Sequence, residues 1–298
     1  MAKAVFITKI NPSYDDLPEA QYHFPHRYLS TAKKTVGDWI IYYEPRRSTS
    51  EDSSKGGRQA YFATARVKEI IEDTKTEGHY YALIDSYMEF PNPVPFREDG
   101  QYYENTLLKT DGSINKGIFR WAVRLLSEHD YLNILSRAYL ELATDENKDI
   151  LNKTMIAEPE ANFERTTVER IVTVKVREAA FQSVIRKAYD ATCALTGLKI
   201  INGGGLCEIE AAHIRPVQDF GPDSPRNGIA LSRTCHWLFD RGIISLEDDG
   251  KILMAKKLVP DQVKRMINQN GYAVFPENKI WKPHQNFLKY HRENKFKG

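Results

Sequence analysis

Over the first 143 residues the apolar positions alternate more than they cycle. β-Branched and aromatic residues gather in "AVFITKI" (4–10), "GDWIIYY" (37–43), "QAYFATARVKEI" (59–70) and "YYALIDSYMEF" (80–90), each of strand length and each bounded by turn residues. Between the second and third, "RRSTSEDSSKGGR" (46–58) has no apolar position and predicts a long loop. "FPNPVPF" (90–96) holds three prolines, too many for a central strand, because each removes a ladder donor. The period then changes. "IFRWAVRLLSEHDYLNILSRAYLELA" (118–143) spaces its apolar residues as a helix does and predicts two short helices. Short strands closed by a helix or two predict a small β-barrel.

The pattern breaks at "TDENKDILNKTMIAEPE" (144–160), which is mostly polar. This predicts a linker over 144–163, between a domain at 1–143 and a second at 164–298. The second opens with a helical segment (164–191). "LCEIEAAHIRPV" (206–217) then reads as a strand ended by Pro216, and "QDFGPDSPRNG" (218–228) as a loop. "GIALS" (228–232) reads as a second strand, and "RTCHWLFDRG" (233–242) as a short helix. Ser232 or Thr234 would cap that helix and Gly242 would stop it. There is no internal repeat and no low-complexity tract.

Composition narrows the class. At 298 residues, 41% hydrophobic and 28% charged, the chain is of the folded globular type. No apolar run approaches the length of a membrane span, and the N-terminus lacks the long apolar region of a signal peptide. Three cysteines do not make a disulfide framework, so a reducing, cytoplasmic setting is expected. The net charge of +2 conceals an asymmetry. Lys251–Gly298 carries 11 basic and 3 acidic residues, leaving 31 against 37 over residues 1–250. A basic C-terminal surface suits nucleic acid, where neutralising phosphates releases counterions; it also suits a solubilising tail.

The candidate chemistry lies at 210–242. His236 and Asp240 stand four apart on the predicted helix, hence on one face, where they can share a metal ion. Imidazole plus carboxylate suits Mg²⁺, Mn²⁺, Ni²⁺ or Zn²⁺. His213 ends the preceding strand, across the hairpin, where a neutral imidazole can take a proton from water.

This arrangement, with "CALTG" (193–197), "EAAHI" (210–214), "NGIAL" (227–231) and "HWLFDRG" (236–242), resembles the HNH endonuclease family, the ββα-metal fold, over about residues 190–250. The resemblance places the family's three named residues on His213, Asn227 and His236, with Asp240 as a further ligand. It implies His213 as the general base, Asn227 as the residue that holds the loop, and one divalent metal ion, Mg²⁺ or Mn²⁺ above Ni²⁺ or Zn²⁺, on His236 and Asp240. An imidazole base must be neutral, so an ordinary histidine predicts loss of activity below roughly pH 6.5. One departure is Ala212, where many members carry an Asp or His ligand; Glu210, on the same strand face, is the residue placed to reach the ion instead. "CALTG" lacks the second cysteine of a zinc pair, so Cys193, Cys207 and Cys235 are expected to be buried packing residues. Arg215 and Arg226 are candidate DNA backbone contacts. The tail "HQNFLKYHRENKFKG" (284–298) reads as a packed terminal helix or a backbone-tracking segment.

In the first domain, "VFITKINPSYDDLPEA", "YLSTAKKTVGDWIIYYEPR" and "AYFATARVKEI" resemble the EVE domain of the PUA-like group, over roughly residues 4–140. Domains of this kind bind a modified base flipped out of its helix. Trp39 and Tyr43, which alternate on one strand face, and Tyr28 are the candidates to line such a pocket. The expected fold class is therefore α+β, a PUA-like (EVE) β-barrel with helices followed by a ββα-metal nuclease domain. The fusion resembles modification-dependent restriction endonucleases. It implies double-stranded DNA containing 5-methylcytosine or 5-hydroxymethylcytosine as partner, no membrane, and, for double-strand cleavage, a homodimer or two binding events. Two alternatives stand beside it: a non-cleaving reader of modified nucleic acid, and an HNH nuclease without modification dependence.

Overall fold

The computed structural model describes residues 2–8, 17–45, 59–109, 111–139, 174–202 and 207–298, which fall into two units, Met1–Ala180 and Phe181–Gly298. The expected loop 46–58 and linker 144–163 lie outside the described residues. No helix among the described residues is long and apolar enough to cross a membrane.

The strands of the first unit are β1 (Ala4–Ile7), β2 (Gln21–Pro25), β3 (Trp39–Glu44), β4 (Ala60–Glu72), β5 (His79–Pro95), a small hairpin of β6 (Arg97–Glu98) and β7 (Gln101–Tyr102), and β8 (Val123–Leu125). Six of them form one sheet in the order β2-β5-β4-β3-β1-β8. All neighbours are antiparallel except β1 and β3. β1 and β2 are separated by three strands in that order, yet the Tyr22 ring of β2 lies 4.7 Å from the Phe6 ring of β1. The Tyr22 hydroxyl donates to Ile7 O at 2.7 Å and Ala122 O at 3.1 Å. The sheet is therefore strongly curled. β2 and β8 remain its edges, so among the described residues it is a half-barrel and not the closed barrel expected.

Both faces of the sheet are buried, which explains the nearly unbroken apolar run of β3. Phe6, Tyr22, Phe24, Tyr42 and Phe62 fill the concave side. Val5, Ile41, Tyr43 and Tyr61 face the other way, under Tyr131, Ile134, Leu135 and Ala138 of α3 (Glu128–Tyr139), which follows α1 (Leu29–Lys33) and α2 (Lys116–Phe119).

Three local expectations change. The proline-rich 90–95 stretch belongs to β5. It is tolerated because β2 pairs only with His79–Leu83, leaving the proline end bonded on one side, and because Phe90–Pro93 bulge out opposite the single residue Phe62. QYHFP at 21–25 is a strand with alternating burial. The helical reading of 118–143 is interrupted by β8, with 140–143 outside the described residues. Arg124 of β8 is buried and forms a bidentate ion pair with buried Glu104, which also accepts from Tyr61 Oη at 2.5 Å. Helical geometry at 123–125 would give up both this pairing and the ladder to β1.

The second unit takes in the end of α4 (Val174–Ala188), then β9 (Glu210–His213), β10 (Gly228–Leu231), α5 (Arg233–Asp240), a hairpin of β11 (Ile244–Leu246) and β12 (Ile252–Met254), α6 (Asp261–Met266) and α7 (Gln285–Asn294). Of the helix expected at 164–191, residues 164–173 lie outside the described residues. One core joins Phe181 and Ile185 of α4, Ile229 and Leu231 of β10, Leu238 and Phe239 of α5, and Phe287 and Leu288 of α7. The tail is thus a packed helix. Cys193 and Cys235 are buried, whereas Cys207 is only half-buried.

Candidate active site

β9 and β10 pair antiparallel with His213 opposite Gly228 and Glu210 opposite Leu231. The chain then turns directly into α5. Ser232 is the cap, its Oγ accepting from Cys235 N at 3.4 Å, and Gly242 leaves the helix in the left-handed region at φ 67°. The order strand, loop, strand, helix is as the sequence predicts.

His213 is held on two sides. Its ring stacks on Phe181, centroids 3.9 Å apart and planes within 8°. Its Nε2 lies 2.9 Å from Oδ1 of Asp223, a buried carboxylate on the intervening loop. An ionised carboxylate only accepts, so the proton sits on Nε2 and the lone pair on Nδ1. Nδ1 makes no hydrogen bond to the described residues, and the side chain keeps 20% of its exposure. The glycine at position 228 makes the stack possible: a Cβ there would come within 2.1 Å of Ile185 Cδ1 and 2.9 Å of Phe181 Cζ.

Asn227 is fully buried and makes three side-chain hydrogen bonds to the loop. Oδ1 accepts from Arg215 N at 2.9 Å, and Nδ2 donates to Arg215 O and Pro222 O, both at 3.0 Å. It fixes the two ends of the segment that carries Asp223.

On α5, His236 Nε2 and Asp240 Oδ2 are 3.4 Å apart, as the i, i+4 spacing predicts. That separation suits two donors of one ion. Glu210 does not join them. Its Oε2 lies 2.9 Å from Nδ1, on the opposite edge of the imidazole, and its Oε1 pairs with Arg233 Nε at 3.1 Å. A carboxylate on Nδ1–H directs the Nε2 lone pair outward, the usual companion of a metal-binding histidine. Ala212 points into the core with no exposure. Among the described residues no group of three His, Cys, Asp or Glu side chains is arranged to hold a metal. The imidazole nitrogen and carboxylate oxygen of α5 are a donor pair of the kind a divalent ion takes, and such an ion would need water or phosphate to complete its coordination.

The other candidates are placed differently from one another. Arg215 is spent within the fold: Nε donates to Asp219 O at 2.6 Å and the guanidinium lies over the Tyr290 ring at 4.7 Å. Arg226 is half-buried beside Asn227. Trp39 and Tyr43 share the core under α3, whereas Tyr28 belongs to the concave core, with Arg27 over its ring at 4.8 Å. The three therefore do not meet in one pocket. Trp39 is half-buried, Tyr28 and Tyr43 are buried, and burial pushes the Tyr43 phenol up. A cavity of 470 Å³ in the same unit is lined instead by Tyr102, Tyr103, Asn105, Asn133 and Arg137, among others.

Asp223 and Phe181 are the site residues that sequence reasoning missed. Asp223 sits in a turn-rich loop where an aspartate is ordinary, and Phe181 reaches His213 from a helix 32 residues upstream.

Comparison with known proteins bears on this unit. Residues 193–247, which include His213, Asn227, His236 and Asp240, match the family model described as HNH endonuclease. No curated protein matches the chain. Among solved structures it is similar to the modification dependent TagI restriction endonuclease, at 14% identity over 89% of this chain and 65% of that one, with a TM-score of 0.33. It is also similar to the Type IV phosphorothioation-dependent restriction endonuclease ScoMcrA, at 13% over 78% and 46%, with a TM-score of 0.20. The chain spans less than two thirds of either protein's length. It carries an HNH endonuclease domain at residues 193–247.

Proposed function

We propose that this chain is a modification-dependent DNA endonuclease, in which the second unit hydrolyses a phosphodiester and the first selects DNA containing 5-methylcytosine or 5-hydroxymethylcytosine. The observation that carries the nuclease half is the His213–Asp223 pair, which leaves one imidazole nitrogen unprotonated and open on the same ββα element that presents His236 Nε2 and Asp240. His213 Nδ1 takes a proton from water as its oxygen attacks phosphorus, the bond from phosphorus to the 3′ oxygen breaks, and that oxygen takes up a proton from solvent. The products are 5′-phosphate and 3′-hydroxyl ends. Asp223 keeps the proton on Nε2, Phe181 holds the ring plane, and Asn227 holds the loop. His236 and Asp240 would hold a divalent cation, Mg²⁺ or Mn²⁺ above Ni²⁺ or Zn²⁺, which would supply charge neutralisation for the phosphate and the leaving oxygen. Arg226 contacts the backbone, and Arg215 supports the loop from within.

For the first unit the reading rests on the EVE-like motifs and the aromatic half-barrel. Base pairing hardly senses a methyl at cytosine C5, whereas a base flipped against apolar side chains can be told apart by it. Half-buried Trp39 is the aromatic candidate to stack on a base, with Tyr43 packed in the same core. One site per chain cuts one strand, so double-strand cleavage calls for a homodimer or two binding events.

The test is incubation with Mg²⁺ or Mn²⁺ and plasmid DNA, with and without cytosine methylation. Cutting of methylated plasmid only, abolished by His213→Ala with DNA binding retained, is expected. No cutting of either plasmid overturns the nuclease half in favour of a non-cleaving reader. Equal cutting overturns the modification dependence.

A further inference from the structure

The loop that carries Asp223 also carries an apolar tip that hydrolysis leaves unused. Val217–Asp219 form a single 3₁₀ turn, and Phe220 ends it at φ 63°. Phe220 is 89% exposed and Val217 46%. Val217 opens the turn that Phe220 ends, three residues away. An isolated exposed apolar residue is ordinary; the mount of this one is not. Asn227 clamps the loop at Arg215 and Pro222. Gly221 lies so close to the Arg215 carbonyl that a Cβ there would come within 1.8 Å of the oxygen. Arg215 Nε holds Asp219 O at 2.6 Å, and Lys295 pairs with the Asp219 carboxylate at 2.8 Å. A bulky residue in the left-handed region is disfavoured. Here the surrounding bonds impose it, and the ring is presented to solvent on a rigid support.

The place of this tip is informative. Phe220 is three residues from Asp223, so their Cα atoms are at most about 11 Å apart, roughly three base steps of a duplex. Its surroundings carry both signs: Lys295 pairs with Asp219, Asp223 faces His213, and Arg226 lies farther along the same loop. An exposed aromatic ring held this close to His213 suits the bases next to the phosphate that His213 would engage.

We propose that Phe220, backed by Val217, is a wedge that enters the base stack of the DNA beside the scissile phosphate and unstacks one step while His213 engages the backbone. This rests on the reading of the second unit as a nuclease acting on DNA. Opening a step kinks the duplex and brings more of its backbone against the protein, as apolar wedges do in architectural DNA-binding proteins. Phe220 is then a positioning residue, not a catalytic one.

The test uses the full-length protein and duplexes containing 5-methylcytosine, with 2-aminopurine placed in turn at each position around the cut. Without added metal, binding should raise 2-aminopurine fluorescence at one step. Phe220→Ala should abolish the rise and weaken binding about 10-fold, within the range for loss of one base-aromatic stack. Phe220→Trp should preserve both. A duplex with a mismatch bubble at that step should restore cleavage by Phe220→Ala to near the wild-type rate. Binding without a fluorescence rise, or an unaltered rise in Phe220→Ala, overturns the wedge and leaves the nuclease reading standing. A rise that depends on Phe220 in a protein that cuts nothing with any metal supports the wedge and sinks the nuclease reading. Failure to bind any duplex overturns both. A change of solution mass in Phe220→Ala assigns the tip to a contact between copies of this chain and overturns the wedge.

Discussion

Replacing His291 with glutamine should flatten the acid limb of the second unit's stability. His291 lies on α7, where its ring stacks on Phe239 of α5 at 3.9 Å. Nε2–H donates to Phe239 O at 3.1 Å, and Nδ1 accepts from Ser245 Oγ at 2.8 Å, so the neutral ring is fully satisfied. Burial, with a smaller contribution from the Lys295 ammonium, pulls its pKa down to about 4. Above about pH 6.5 the imidazole is neutral in folded and unfolded chains alike and adds no pH dependence. As pH falls from there to about 4, the unfolded chain takes up a proton that the native state refuses. Stability then drops at about 1.4 kcal/mol per pH unit, roughly 3 kcal/mol in all, with no further loss below the folded pKa. A glutamine amide in its place can make similar hydrogen bonds but cannot titrate. The assay is urea unfolding between about pH 4 and 7.5, read by pulse-labelled amide exchange on peptides of α5 and α7. The wild-type advantage over His291→Gln should shrink by roughly 3 kcal/mol across that range. Two curves that stay parallel would refute the buried neutral state. Because Phe239 precedes Asp240, the same titration should loosen the helix that carries the two ligand candidates.

Two further outcomes follow from close contacts. Asp223→Asn places an amide against His213 Nε2, which favours the proton on Nδ1 and so blocks the base. Single-turnover cleavage should fall about 10²- to 10⁴-fold with DNA binding little changed, and a rate within a few-fold of wild type would overturn the assignment of Nδ1. Gly242→Ala sets a Cβ 1.8 Å from Lys295 O at a backbone φ of 67°. It should cost over ~2 kcal/mol and lower the melting temperature by about 5 °C or more. Gly271→Ala has a similar φ with nothing within 4 Å and should cost only about 1–2 kcal/mol; equal losses in calorimetry would refute the clash.

The elements best foreseen are those whose signals are local. Ser232 and Gly242 bracket α5 because a cap and a left-handed exit depend on a few adjacent residues. β8 was hidden because its apolar residues sit among helix-like neighbours, and what selects a strand is Arg124 meeting Glu104, 20 residues back in sequence. The proline end of β5 was hidden for a similar reason. Whether three prolines can sit in a strand depends on how many neighbours that strand has, a property of the sheet and not of the segment. The half-barrel itself shows in one contact, Tyr22 on Phe6, between strands that no local pattern relates.

The same distinction runs through the candidate site. His236 and Asp240 were legible together because one helical turn brings them together. Glu210 was legible as a neighbour but not in its role. Strand alternation puts it on the face of Ala212, yet whether it meets the Nε2 or the Nδ1 edge of His236 depends on how α5 is rotated over β9. That rotation is set by the burial of Cys235, Leu238 and Phe239. The packing of α5 therefore sorts the carboxylates around one imidazole, Asp240 toward the open nitrogen and Glu210 toward the other. With Ala212 sealed in the core, an ion bound there would have His236 and Asp240 as its near protein donors. Its affinity should then depend on the phosphate that completes its shell, which ties metal binding to the presence of DNA.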